Sequence, residues 1–188
     1  MTLQDLHIDK SWTLFLDRDG VINRRFEDDY IKKWEEFEFL PGVLDSIRIF
    51  TERFGKIFVV TNQQGIGKGI MTERDLENIH NRMQEEVRYE GGRIMKIYHS
   101  PYREEEKSVF RKPKAGMARK AKIDFPDIDF QRSLMIGDSI TDMQFGRNAG
   151  MITLFITRES DEMKDSGHLI DMVFPDLKSV ADQLVENG

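Results

Sequence analysis

The sequence predicts an α/β fold of three layers, with helices covering both faces of a parallel sheet, on three observations. Six short apolar runs rich in β-branched and aromatic residues lie at 13–17, 56–61, 94–99, 133–137, 153–156 and 172–174. Stretches with apolar residues at helical spacing separate most of these runs. Nothing repeats, and no low-complexity segment divides the 188 residues, so a single Rossmann-like domain over 1–188 is expected. Alternating strands and helices give a parallel sheet because each helix carries the chain back to the starting edge.

The first run ends in "LFLDRDGVIN", where apolar residues stop on Asp17 and Asp19, next to Gly20. A helix over 41–54 carries a stripe of Leu44, Ile47 and Phe50 and stops before Gly55. After the second run, Thr72 is an N-cap with Asp75 three residues on. Leu76, Ile79, Met83 and Val87 form the stripe of that helix, and Gly91-Gly92 ends it. Shorter helices are expected over 115–123, 140–148 and 177–185. Two connections are irregular. Residues 22–40, "INRRFEDDYIKKWEEFEFL", are long for a link after a first strand, and such links are commonly functional. Residues 100–113, "SPYREEEKSVFRKP", hold a charge run that reads as a solvated turn.

Composition narrows the function. Hydrophobic residues are 39% and charged residues 33%, so a well-charged surface surrounds an ordinary core, to which most of the 13 Phe and 10 Met belong. The chain has no cysteine, which excludes disulfides, a cysteine nucleophile and thiolate zinc sites, and suits a reducing cytoplasm. "MTLQDLHIDKSW" has no apolar signal core, and no run reaches the ~20 apolar residues of a membrane span. A net charge of −6 argues against a nucleic-acid partner, which calls for a basic surface. His7, His80, His99 and His168 are scattered, and none is given a catalytic role.

Reactive groups gather at the predicted strand ends, where open α/β sheets bind ligands. The first end carries Asp17 and Asp19. Side chains two apart on a strand point the same way. Two such carboxylates repel, and a cation would offset the repulsion. The second end, "VVTNQQGIGKG", supplies Thr61, Asn62, Gln63 and Gln64; "FRKPKAG" supplies Arg111 and Lys112; "MIGDSITD" supplies Asp138 and Asp142. Each cluster alone reads as a turn, a cap or a solvated loop. All four fall at strand ends that one sheet would bring together. Carboxylates, a hydroxyl, backbone donors and two cations suit an oxygen-liganded Mg²⁺ and a phosphate.

These residues resemble the haloacid dehalogenase-like phosphohydrolases over roughly 12–156. Asp17-x-Asp19-Gly20, Thr61, Lys112 and Gly137-Asp138 with Asp142 match the four motifs of that family. The strings "FLDRDGVIN", "FEFLPGV", "VVTNQQGIGKG", "RKPKAGM" and "MIGDSITDMQFGRNAG" are most similar to bacterial heptose bisphosphate phosphatases and the related histidinol-phosphate phosphatases. That subgroup has no large cap domain, and here the intervals 17–61 and 61–112 are mostly used by sheet and helix. The resemblance implies a HAD-like fold and a phosphatase working through an aspartyl-phosphate. Asp17 would be the nucleophile and Asp19 the acid, then the base. Mg²⁺ would sit on Asp17, the Asp19 carbonyl and Asp138. Thr61 and Lys112 would hold phosphate oxygens. Arg111, Asn62, Gln63 and Gln64 would contact substrate, as would Arg25 and Asp28 from a substrate loop at about 22–40. Asp142 would orient Lys112 or the fourth loop.

One departure stands out. Many heptose phosphatases carry a zinc held by three Cys and one His just before the Arg-Lys-Pro. This chain offers only His99, so no zinc is expected, and packing of Tyr98, Tyr102 and Phe110 is expected to hold the loop instead. The expected substrate is a small phosphorylated sugar, first D-glycero-D-manno-heptose 1,7-bisphosphate losing its 7-phosphate. Histidinol phosphate is the alternative, and a polynucleotide 3′-phosphate is disfavoured by the acidic charge. A receiver-like phospho-Asp switch shares the acidic cluster, Thr and Lys, but a slow switch would not need Asp19 as acid and base. A cytoplasmic monomer or small homo-oligomer is expected.

Overall fold

The computed structural model describes residues 2–26, 29–157 and 167–185. Strands β1 (Thr13–Leu16), β2 (Lys56–Asn62), β3 (Lys96–Ser100), β4 (Ser133–Gly137), β5 (Ile152–Ile156) and β6 (Met172–Phe174) form one sheet in the order β3-β2-β1-β4-β5-β6. Every pairing is parallel. The helices are α1 (Val43–Arg53), α2 (Glu73–Tyr89), α3 (Gly116–Asp124), α4 (Ile140–Ala149) and α5 (Leu177–Val185). The chain builds outward from β1 to β3, then returns to place β4 on the other side of β1. Strand order thus reverses between β1 and β4, where α/β sheets open a crevice.

Period-two alternation splits the core. Leu14, Leu16, Ile57, Val59, Leu134 and Ile136 face one layer, packed against α1, α5 and the last turns of α2. Phe15, Phe58, Val60 and Met135 face the other, against α3 and α4. Burying each such side chain contributes roughly 1.5–3 kcal/mol over leaving it exposed. α2 starts with the expected capping box, Thr72 and Asp75 satisfying each other's backbone N–H groups. Its stripe is as expected, with His80 added to the buried face.

Some boundaries differ from the sequence reading. α1 begins at Val43, because Gly42 adopts φ 75°, outside the helical region. Val43, Ile47 and Phe50 form its buried stripe, and Leu44 is only partly buried. β1 ends at Leu16, although Asp17 N still donates to Ile136 O at 2.9 Å.

The long connection after β1 returns to its own start. Leu40 N donates to Ile22 O at 3.0 Å, and Arg24 N to Glu38 O at 2.8 Å. Trp34 stacks on Phe37 at 5.0 Å, Phe39 meets Phe37 edge-on, and all three pack on the core. The 100–113 segment is held differently from expectation. Tyr98 is buried on β3, but Tyr102 and Phe110 are each 40% exposed and join none of the buried apolar clusters. Hydrogen bonds hold the segment: Gly67 N to Pro101 O at 3.1 Å, Arg111 Nη1 to Tyr102 O at 3.2 Å and Gly116 N to Val109 O at 3.0 Å. No helix among the described residues is long and apolar enough to cross a membrane.

Candidate active site

The carboxyl ends of β1, β2 and β4 meet the loop before α3, and that junction gathers most of the expected residues. Asp17 follows β1, Thr61 lies on β2, Lys112 precedes α3, and Asp138 follows β4. Lys112 is the hub. Its ammonium lies 2.7 Å from Asp17 Oδ1 and 2.6 Å from Asp142 Oδ1, and it donates to Val60 O at 3.0 Å. Two carboxylates and one carbonyl thus surround it at contact distance. Asn62 clamps the Lys112 backbone from both sides, accepting from its N–H at 3.0 Å and donating to its carbonyl at 3.2 Å.

A lysine so buried would lose its charge without these partners. Burial does work against its ammonium, but Asp142 and Asp17 outweigh it and raise its pKa. Asp17 is pushed up to about 8, first by burial, then by Asp142, with Lys112 opposing. Asp138 is pushed up to about 6 by burial and Asp142, while Arg25 pulls the other way. A carboxylate pair that resists ionisation marks a place for a cation.

Asp17, Asp138 and Asp142 each offer a carboxylate oxygen, all within 4.8 Å of one another. Asp142 is already committed, with one oxygen on Lys112 and the other on Ser139 N and Oγ at the start of α4. Asp17 Oδ1 takes both Lys112 and the Arg18 N–H. That leaves Asp17 Oδ2 and Asp138, whose buried Oδ1 has no hydrogen-bond partner. An all-oxygen set with an orphaned carboxylate oxygen fits a small hard cation such as Mg²⁺. Two glycines keep the space open. A Cβ on Gly20, at φ 89°, would lie 1.8 Å from Asp138 Oδ2, and one on Gly137 would lie 2.2 Å from Asp142 Cβ.

The Asp19 carboxylate is not in that cluster. The chain turns after β1, so the expected side-by-side pair is pulled apart. Arg18 grips Asp19 with Nη2 at 2.9 and 3.0 Å and Nε at 3.3 Å, and Asn23 and Gln63 donate at 2.9 and 2.8 Å. Burial favours the neutral acid, but the Arg18 charge and these hydrogen bonds prevail and lower its pKa. Its backbone carbonyl accepts no backbone hydrogen bond among the described residues.

Gln63, expected to contact substrate, is instead buried, its amide donating to Asp19 and to Thr61 Oγ1 at 2.8 Å each. Asn62 is likewise turned inward by its clamp on Lys112. Gln64 is half-buried and its carbonyl accepts from Lys68 N. Arg111 is half-buried at the rim. Arg25 reaches in from the long loop, Nη1 lying 3.0 Å from Asp138 Oδ2. Asp28 lies outside the described residues. Two participants escaped the sequence reading. Arg18 is 1% exposed, and its Nη1 meets His80 Nε2 at 3.1 Å. The signal for His80 was its place four residues after Leu76, a polar side chain in register with an apolar stripe.

The comparisons follow the same lines. The family described as HAD-hydrolase-like matches residues 109–180. The chain is 42% identical over 156 residues to a D-glycero-alpha-D-manno-heptose-1,7-bisphosphate 7-phosphatase of Campylobacter jejuni, covering 83% of this chain and 88% of that one. It is 33% identical over 174 residues to a D-glycero-beta-D-manno-heptose-1,7-bisphosphate 7-phosphatase of Pseudomonas putida, covering 92% and 98%. Its fold is similar to that of a heptose 1,7-bisphosphate phosphatase from B. bronchiseptica crystallised with magnesium and phosphate. That match has TM-score 0.80 and 27% identity, and covers 94% and 99% of the two chains.

Proposed function

The chain belongs to the haloacid dehalogenase-like phosphohydrolases and is a phosphoric monoester hydrolase, and on that footing we propose that it removes the 7-phosphate of D-glycero-D-manno-heptose 1,7-bisphosphate. The observation that carries the reading is the Lys112–Asp17 contact of 2.7 Å beside the orphaned Asp138 oxygen. It sets a nucleophile, a fixed cation and a metal place around one point.

Asp17 Oδ2 is the oxygen left free to attack phosphorus, since Oδ1 is held by Lys112 and the Arg18 N–H. Attack forms an aspartyl-phosphate and breaks the bond to the sugar oxygen. Asp19 gives that oxygen a proton, then takes one from the water that frees the phosphate. Its lowered pKa means the resting site holds the base form. The proton for the first step must therefore be loaded beforehand, from a monoanionic substrate or from solvent. Thr61 Oγ1, oriented by Gln63, and Lys112 Nζ hold the phosphate oxygens. Asp138, the Asp19 carbonyl and the Asp17 oxygen that does not attack would hold Mg²⁺, which would offset the charge of two anions meeting. Asp142 fixes Lys112, while Arg25, Arg111 and Gln64 face the rest of the sugar. The cytoplasmic setting expected from composition belongs to the same reading.

Phosphate release from both heptose 1,7-bisphosphate anomers, histidinol phosphate and a 3′-phosphorylated oligonucleotide tests it, with Asp17→Asn as control. Turnover needing Mg²⁺ and Asp17 should concentrate on one heptose anomer. Concentration on histidinol phosphate would overturn the substrate, and turnover by Asp17→Asn the mechanism.

A further inference from the structure

Arg18 is a cation with almost no access to water, set between Asp17 and Asp19 in sequence. A buried guanidinium needs an acceptor for each of its edges. Asp19 serves one edge through Nε and Nη2, and Phe37 covers the group with its ring centre 6.0 Å from Cζ. The other edge ends on His80 Nε2 at 3.1 Å. His80 can accept there only as the neutral imidazole, its proton assigned to Nδ1 by that contact. Burial, Arg18 and His99 all keep it neutral. His80 itself is fixed in the buried stripe of α2, with His99 edge-on at 6.1 Å. His99 is in turn tied to Glu73 at 2.8 Å.

We propose that His80 is a positioning residue for the reaction: by holding Arg18 Nη1 it sets the guanidinium fork that aims the Asp19 carboxylate at the leaving oxygen. The inference rests on Asp19 being the proton shuttle. It makes α2, outside the four matched motifs, a part of the proton-transfer apparatus. Without His80 the fork loses its second anchor and shifts; Asn23 and Gln63 still hold the Asp19 carboxylate, but its aim at the leaving oxygen slackens.

The test compares two leaving groups in the Mg²⁺-loaded enzyme. The ratio kcat/KM reports transfer of the phosphoryl group to Asp17. A sugar alkoxide needs a proton in that step, whereas p-nitrophenolate leaves without one. His80→Phe should lower kcat/KM for heptose bisphosphate about tenfold or more, while p-nitrophenyl phosphate is nearly unaffected. His80→Gln, whose side-chain oxygen can accept from Nη1, should restore most of the loss. Asp19→Asn is the reference and should show the same split, larger. No split in Asp19→Asn would overturn the shuttle reading itself. A split in Asp19→Asn, with His80→Phe lowering both substrates equally or neither, would leave His80 as packing and overturn the inference. Should His80→Phe fail to fold, His80→Asn, too short to reach Nη1, must show the split or the inference falls.

Discussion

Lys112 Nζ lies 2.6 Å from Asp142 Oδ1, and both side chains are shut away from water. The same Asp142 closes the capping box that begins α4. One carboxylate therefore fastens a phosphate ligand and a helix start at once. Asp142→Ala should cost about 3–5 kcal/mol in urea unfolding, because it strips a buried cation of a partner. Asp142→Asn keeps a polar oxygen and should cost less. Equal stability of Asp142→Ala and the parent would show that Lys112 does not depend on it.

Magnesium should matter more for stability as pH rises. Asp17 is raised from 3.8 to about 8 and Asp138 to about 6, in each case chiefly by burial. The metal-free folded protein then holds more protons than the unfolded chain across that interval. Its stability is full below the unfolded value and falls as pH climbs through 6 toward 8. Mg²⁺ requires ionised ligands, so the gain in Tm from excess Mg²⁺ over chelator should widen between about pH 5 and pH 8. A gap independent of pH would contradict the assignment of these carboxylates.

Gly20→Ala should disable the site while leaving the sheet intact. The backbone at φ 89° disfavours any Cβ by about 1–2 kcal/mol. The added methyl would also collide with Asp138 Oδ2. Displacing Asp138 by an ångström should cost about 100-fold in kcat/KM, together with weaker Mg²⁺ binding by calorimetry. Unchanged Mg²⁺ affinity would remove Asp138 from the metal set.

Arg25→Gln tests the long loop. Arg25 is 54% exposed yet reaches Asp138, so it is free to move onto a substrate phosphate. Its loss should raise KM for the bisphosphate about tenfold and change kcat far less. A fall in kcat at constant KM would place Arg25 in the chemical step instead.

The layers and their order were readable from the sequence because apolar spacing reports burial directly. Leu76, Ile79, Met83 and Val87 lie where their spacing put them. Asp17, Lys112 and Asp138 were readable only jointly: each cluster alone reads as a turn or cap, but one sheet brings them together, in the pattern of the family motifs. Amides were harder. Asn62 and Gln63 stand at the same strand end as Thr61, but their partners, Lys112 and Asp19, come from distant segments. Neighbouring sequence therefore could not say that both face inward. The expected crowding of Asp17 and Asp19 failed for a related reason: β1 stops one residue early and the chain turns. Tyr102 and Phe110 show that an aromatic in a loop need not be a brace when backbone hydrogen bonds suffice.

The neck of the connection after β1 has a wider consequence. Ile22 and Leu40 are joined by a hydrogen bond, as are Arg24 and Glu38, so the intervening stretch hangs from a closed base. It is not idle between those ends: Ile31, Trp34 and Phe37 pack into apolar clusters, Phe37 covers Arg18, and Arg25 reaches Asp138. A change in this stretch therefore reaches the substrate side and the site floor together, through Arg25 and Phe37. Selection for a new sugar acting there would be felt by Asp138 and Asp19 beneath.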